Sequence, residues 1–335
     1  MVNIVSGALR LSVVAPCYNE EAGVDEFVRR MIAACEAVMP GDYEIVLVND
    51  GSRDATWRRI RALAAAHRNI VGLNLARNHG HQLAVTAGMA RARGERILII
   101  DADLQDPPEL LDAMMQRMDE GYDVVYGRRR TRPAENPLKL GTAWLYYRLL
   151  SGLAEVQIPR DTGDFRLISR KILDRLNAMP EQDRFLRGMV AWLGGAQTEM
   201  LYDREPRFAG RTGYSFGKML RLAVAGLTSF STVPLRLASL MAAAGALAAF
   251  ALAVYVIAGF LTGRAAPGWT SLAMIMIFFS TTQLACLGIL GAYVGRIFQQ
   301  VKGRPLYLVD EIVASEGLAG GLTANSDVEA AAGGL

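Results

Sequence analysis

The chain has 335 residues, is 52% apolar and has a mean hydropathy of +0.20, more than an ordinary soluble domain carries, so part of it is expected to face lipid. A formal net charge of only +3 excludes the dense basic stripe of a nucleic-acid binder. Three cysteines, Cys17, Cys35 and Cys286, are an odd number with no metal-ligand spacing, which excludes a disulfide framework and reads as small buried thiols in a reduced compartment.

The opening "MVNIVSGALR" has no basic start and only a short, broken apolar run, so it is not expected to act as a signal peptide. Short β-branched runs follow at residues 11–15, 44–48, 70–75, 96–100 and 123–127. Between them, residues 20–38, 55–67, 81–93 and 109–120 carry apolar residues at helical spacing. Strands apolar on both faces that alternate with helices predict an α/β fold: a parallel sheet with helices on both sides. Ligands of such sheets bind beyond the carboxyl ends of the strands.

Polar groups gather at those ends. "PCYNE" follows the first strand, "NDGSRD" the second, "ARNHGHQ" the third and "DADLQD" the fourth. Asp54 and Asp106 also suit helix N-caps, so part of this polarity serves structure. Downstream, "GRRRTRPAENP" reads as a basic mobile loop, 138–151 as a helix, 158–170 as a loop leading into a short strand, 183–195 as a helix and 198–215 as a strand and loop.

The spacing over residues 216–230 predicts a basic amphipathic helix suited to a lipid interface, or to packing on the preceding domain. No charged residue occurs in 237–263 or in 265–295, and each run is long enough to cross a bilayer. Lys218, Arg221 and Arg236 precede the pair, and Arg296, Lys302 and Arg304 follow it. Basic residues stay inside, so both ends of this hairpin are expected on the cytoplasmic face of a cytoplasmic (inner) membrane. "GAYVG" at 291–295 is a small-xxx-small pattern, expected to mediate helix contact within the hairpin or in a homo-oligomer. After Val313 the chain is rich in Gly and Ala, and disorder is expected.

The stretch "DADLQDPPE" carries the chemistry. Asp101, Asp103 and Gln105 share one side if the backbone stays extended. Two close carboxylates repel unless a cation sits between them, and Mg²⁺ or Mn²⁺ accepts one or two carboxylates plus substrate phosphates. A D-x-D pair alone is as consistent with capping and solvation. Asp50 in "NDGS" adds a carboxylate able to accept a base N–H or ribose hydroxyls, and Gly51 and Ser52 would let backbone approach a ligand. "NDGS" alone is also an ordinary turn. No G-x-G-x-x-G or P-loop occurs at these turns, which disfavours a dinucleotide cofactor.

Together "VVAPCYNEE", "VNDGSRD", "LARNHGHQ", "DADLQDPPE", "GDFRLISR", "RFLRG" and "RFAG" resemble the polyprenyl-phosphate glycosyltransferases of glycosyltransferase family 2, the group of dolichyl-phosphate mannose synthase and the bactoprenol glucosyltransferases. The resemblance runs from about residue 11 to 305. It implies a GT-A catalytic domain over 1–214, an interfacial helix at 215–234, a transmembrane hairpin at 235–300 and a cytoplasmic tail at 301–335. By that resemblance Pro16, Tyr18, Glu20, Asp50 and Ser52 hold the nucleoside of a nucleotide-sugar. Asp101, Asp103 and Gln105 hold Mg²⁺ or Mn²⁺ and the diphosphate. Asp164 is a candidate base near the sugar or acceptor, and Arg129 and Arg132, with Arg128 and Arg130, meet phosphate. Related proteins carry a lysine in a "TKY" motif where this chain has "TGY" at 212–214, leaving Arg211 or Lys218 to supply that charge.

The implied reaction is inverting transfer of a hexose from a nucleoside diphosphate to polyprenyl phosphate, with UDP-glucose the favoured donor and GDP-mannose the competitor. A processive polysaccharide synthase would carry a Q-x-x-R-W motif and more spans, and this chain has neither. A non-catalytic membrane scaffold or sugar-lipid transporter component is the alternative from another class. His79 and His81 are expected to serve packing or the start of a helix.

Overall fold

The computed structural model describes residues 9–130, 162–203, 233–262 and 268–315. It divides into an α/β unit, which includes the chain from Arg304 onward, and a unit of two apolar helices.

The α/β unit runs β1 (Leu11–Cys17), α1 (Val24–Val38), β2 (Tyr43–Asn49), α2 (Thr56–Ala66), β3 (Ile70–Leu75), α3 (His81–Arg91), β4 (Arg96–Ile99), a 3₁₀ turn (Pro108–Leu110), α4 (Leu111–Asp119) and β5 (Val124–Arg129). It continues with β6 (Thr162–Ser169), α5 (Arg170–Ala178), α6 (Leu186–Leu193) and β7 (Gln197–Tyr202). The apolar unit holds α7 (Val233–Leu261) and α8 (Trp269–Val301), and the chain then adds β8 (Val309–Ala314) to the sheet. The expected strands and helices are present, with shifts of a few residues at their ends. The expected helices at 138–151 and 216–230, and most of the tail, lie outside the described residues.

Side-chain alternation along the strands builds two cores. Leu11, Val13, Ala15, Ile45 and Leu47 pack with Phe27, Met31, Ile60 and Met114 on one face. Val14, Val46, Val48, Leu73 and Ile97 pack with Val85, Met89, Ile172 and Met189 on the other. Both faces of the central strands are buried, as their near-continuous apolar runs require. Helix α3 approaches β1 through Gly88, where a Cβ would lie 2.4 Å from Val14 Cγ1.

The sheet order is β7-β5-β6-β4-β1-β2-β3-β8. The central strands β4, β1, β2 and β3 are parallel, but β6 runs antiparallel between β4 and β5, and β8 runs antiparallel on β3. The mostly parallel sheet that the resemblance to a GT-A fold implies is thus present, with β6 and β8 as its antiparallel members. The chain after α8 re-enters the sheet as β8, a strand the sequence reading did not include, and the Gly- and Ala-rich tail from residue 316 on lies outside the described residues. The β8 pattern of half-buried residues, interrupted by Asp310 and Glu311, gave no strand signal comparable to β1–β4.

In the apolar unit, α7 and α8 are both long and apolar enough to cross a membrane. They pack on each other near Gly245 and Phe279, and Cys286 Sγ lies 3.5 Å from the Ala238 carbonyl oxygen. The glycines of "GAYVG" do not make that contact: nothing lies within 4 Å of a Cβ built at Gly291 or Gly295. Of the two expected roles of this pattern, contact within the hairpin is not made by its glycines, and contact in a homo-oligomer stays an expectation.

Candidate active site

The loops after β1 and β2 are stitched to each other by side chains. Asn19 N–H donates to Ser52 Oγ at 3.0 Å, and Arg53 N–H returns a bond to Asn19 Oδ1 at 2.9 Å. Glu20 N–H donates to Thr56 Oγ1 at 2.9 Å, and Ala55 N–H to Glu21 Oε2 at 2.8 Å. Asp54 Oδ1 accepts from Thr56 N–H at 3.0 Å at the start of α2, close to the expected capping role. These bonds satisfy main-chain groups that neither strand nor helix pairs. Pro16 is buried in β1, Glu20 is half-buried and Tyr18 is 43% exposed.

Asp50 is engaged by the protein itself. Its Oδ1 accepts from His79 N–H at 2.7 Å and its Oδ2 from Gly80 N–H at 3.0 Å. Burial pushes its carboxyl above the usual range, while those two main-chain donors oppose the shift. Gly51 (φ +63°) is close to backbone: a Cβ there would lie 2.5 Å from Asn78 N. On the side a Cβ would take, the chain's own β3–α3 loop fills the space, so glycine is required here for the two loops to meet.

The strand preceding "DADLQD" ends at Ile99, so Asp101, Asp103 and Gln105 sit in a turn. The premise of an extended backbone there is corrected. The turn is held by Gln105 N–H donating to Asp103 Oδ1 at 3.1 Å, and by Leu104 at φ +58°. Asn19 and Leu104 are the two non-glycine residues with positive φ among the described residues, one in each of two rim loops. A left-handed leucine costs about 1 kcal/mol or more, and such strain clusters at functional sites.

Asp101 differs from its neighbours. Its Oδ1 is buried with no hydrogen-bond partner, although the side chain as a whole is 31% exposed and His81 Nε2 lies 3.5 Å away. Burial pushes its carboxyl up to about 6, His81 opposes, and the charges of Asp164, Asp106 and Asp103 add to the rise. An orphaned, desolvated carboxylate oxygen among further acids is what a hard divalent cation relieves. Asp101, Asp103 and Gln105 therefore fit such an ion. Among the described residues no three His, Cys, Asp or Glu side chains form a ready-made cage. That is compatible with an ion that takes much of its coordination from phosphate and water.

Asp164, buried on β6, is saturated. It accepts from His81 Nε2 at 3.0 Å, Gln82 Nε2 at 2.9 Å and Arg187 Nε at 2.8 Å, with Arg166 Nη2 at 3.7 Å. Gln82 Oε1 in turn accepts Leu186 N–H at 3.0 Å. The motifs "ARNHGHQ", "GDFR" and "RFLRG" thus meet at one carboxylate. Burial raises the Asp164 carboxyl, but His81, Arg187 and Arg166 outweigh it and hold it well below the usual range. Burial likewise opposes the charge on His81, yet the bond to Asp164 and the charges of Asp101 and Asp164 lift it to about 8. His81 opens α3, one of its two expected places, and its ring also reaches Asp164; Gln82 and Arg187 were not among the expected site residues. The motifs they stand in were the available signal.

The arginines divide. Arg128 and Arg129 end strand β5 and do not belong to a mobile loop as expected. Arg128 pairs with Glu199 at 2.9 Å and Arg130 with Asp203 at 3.6 Å, both on the outer side. Arg129 points the other way: its Nε reaches Tyr202 Oη at 3.4 Å, and Tyr202 donates its hydroxyl to Asp106, a partner other than the expected helix cap. A Cβ on Gly163 would come within 3.2 Å of Arg129 Nη2. Arg132, Arg211 and Lys218 lie outside the described residues.

Residues 12–176 match the family model "Glycosyl transferase family 2". The glycosyltransferase YkcC of Bacillus subtilis (strain 168) is 42% identical over 92% of this chain and 95% of its own length. The prophage bactoprenol glucosyl transferase homolog of Escherichia coli (strain K12) is 35% identical over 91% of this chain and 99% of its own length. The bactoprenol glucosyl transferase of Shigella phage SfII is 35% identical over 90% of this chain and 97% of its own. Among solved structures, glucosyl-3-phosphoglycerate synthase from Mycobacterium tuberculosis is similar with a TM-score of 0.43 and 23% identity over 66% of this chain and 79% of that one. With its GT-A-type mixed sheet and two candidate membrane spans, the chain belongs to glycosyltransferase family 2, in the group that resembles the bactoprenol glucosyltransferases.

Proposed function

We propose that this glycosyltransferase moves a hexose from a nucleoside diphosphate onto a polyprenyl phosphate, with inversion, at the cytoplasmic face of the membrane. The observation that carries the reading is the match to relatives named bactoprenol glucosyl transferase along nearly their whole length, at 35% identity and 97–99% of those chains. Glucose from UDP-glucose is the favoured donor sugar, with GDP-mannose the competitor. The two apolar helices suit an enzyme whose acceptor keeps its tail in the bilayer.

Pro16, Tyr18, Glu20, Asp50 and Ser52 line the nucleoside side of the rim. Asp101, Asp103 and Gln105 would hold Mg²⁺ or Mn²⁺, which supplies charge neutralisation to the diphosphate. An oxygen of the acceptor phosphate attacks the anomeric carbon as the sugar–diphosphate bond breaks on the opposite face. That phosphate has a second pKa near 6, so it is already largely ionised at neutral pH. No strong base is required. Asp164 is held well below the usual range by its cationic partners, burial notwithstanding, which makes it a poor proton acceptor. It orients His81, Gln82 and Arg187 instead. Arg129 and Arg132, with Arg128, and Arg211 or Lys218, offset the charge of two approaching anions.

The test is a panel of labelled nucleotide sugars presented with polyprenyl phosphate, with and without Mg²⁺ or Mn²⁺. Cation-dependent glycolipid from one donor is expected. No labelled lipid from any donor would overturn the reading, and donor binding without transfer would favour the scaffold.

A further inference from the structure

The chain that follows α8 does more than extend the sheet. Leu308, the residue before β8, is held by the β3–α3 loop on both sides of its peptide. Its carbonyl accepts Ala76 N–H at 2.9 Å, and its N–H donates to His79 Nε2 at 3.3 Å. Tyr307 and Val309 pack against the core on the α3 side of the sheet. His79 is therefore engaged at two points. Its ring takes the N–H of Leu308, while its own N–H binds Asp50 Oδ1 at 2.7 Å. Asn78 Nδ2 adds a bond to the Asp50 carbonyl at 3.1 Å. The path from Leu308 to the Asp50 carboxylate is short: Leu308 N–H, His79 ring, His79 N–H, Asp50.

We infer that His79 is a positioning residue, latched by Leu308, that sets the β3–α3 loop and with it the Asp50 carboxylate for binding a nucleoside diphosphate. This rests on the reading of Asp50 as part of the nucleoside side of the site. As an acceptor, Nε2 must carry no proton, so the ring proton sits on Nδ1. Burial lowers the ring's basicity, Arg77 adds to this and Asp50 opposes it, so the neutral form the latch needs is favoured. Other side-chain ties of β8 include Asp310 Oδ2, which accepts from Asn74 Nδ2 at 3.2 Å, and Glu311, which accepts from Trp57 Nε1 at 3.1 Å and pairs with Arg61 at 3.5 Å; the two made by Glu311 do not touch the loop. Strand attachment and loop positioning can therefore be separated by mutation.

The experiment uses the full-length protein in detergent, with uridine and guanosine diphosphate as probes in titration calorimetry and amide hydrogen exchange over residues 76–82. His79→Ala is expected to weaken nucleotide binding about 3- to 10-fold, the worth of one hydrogen bond, and to speed exchange in the loop. His79→Gln, which keeps an acceptor, should restore most of both. Glu311→Gln should lower the melting temperature yet leave nucleotide affinity within about twofold, as expected away from the loop. Unchanged affinity and exchange in His79→Ala would overturn the latch, as would an equal loss of affinity in Glu311→Gln. If the wild type binds neither nucleotide, the functional reading fails, and loop exchange alone decides the latch.

Discussion

Two carboxylates on the same rim have opposite fates. Asp164 is 5% exposed and meets four cationic or amide partners, whereas Asp101 keeps a buried oxygen with no hydrogen bond. His81 touches both. The difference separates scaffold from ligand site. A saturated buried carboxylate fixes the groups around it, and removing it strands their charges. An orphaned one weakens the fold unless a cation or donor meets it, which is the role proposed for Asp101.

The sharpest way to break that comparison is Asp101→Asn. Transfer should fall about 100-fold or more, in line with losing a principal electrostatic contact to the departing group. The fold should not suffer. The folded carboxyl sits near 6, above its unfolded value, so its charge opposes folding at neutral pH. A melting temperature equal to or above wild type is expected by calorimetry, and a marked drop would make Asp101 a scaffold group after all.

Asp164→Asn should do the reverse in stability. It leaves buried Arg166, with Arg187 and His81, short of their counter-charge. Breaking a buried pair costs about 3 kcal/mol, which should lower the melting temperature by several degrees, on the order of 5–10 °C. Turnover measured well below that temperature tests its chemistry separately, and near-normal turnover would rule out an essential base.

Gly51→Ala is smaller and probes the nucleoside side. The left-handed φ of +63° and the 2.5 Å approach to Asn78 N leave a Cβ no room. A loss of at least about 1 kcal/mol is expected, with a raised donor KM as the β3–α3 loop moves. Unchanged stability would mean that the loop yields freely.

The smallest effect is acid sensitivity. The Asp164 carboxyl has a depressed folded value, so its contribution is present above the unfolded value, near 4, and is lost as pH falls through the lower folded value. Wild type should therefore lose stability more steeply than Asp164→Asn below about pH 4. Parallel melting curves for the two proteins would contradict this.

Much of the site was legible. The polar clusters after β1 to β4 sit on one rim because parallel strands align their carboxyl ends. Asp101 and Asp103 stood out as neighbouring acids after an apolar strand, whatever the local backbone. Gln82 and Arg187 did not, since they meet the site at Asp164, 82 and 23 residues away, and His81 read as a packing or helix-start residue because its contacts with Asp164 and Asp101 arise only on folding. Gly51 looked like an opening for ligand because its neighbour, the Arg77–Asn78 backbone, belongs to another loop.

By itself the sequence determined the alternation of strands and helices and the two long apolar helices, because local periodicity and run length are enough to set them. Only the tertiary structure decided that β6 and β8 enter the sheet antiparallel, that Asp164 is saturated and that Asp101 is not. Those outcomes depend on which distant donors fold against each acid, and hydrogen bonding is a property of distance and direction that spacing along a chain does not carry.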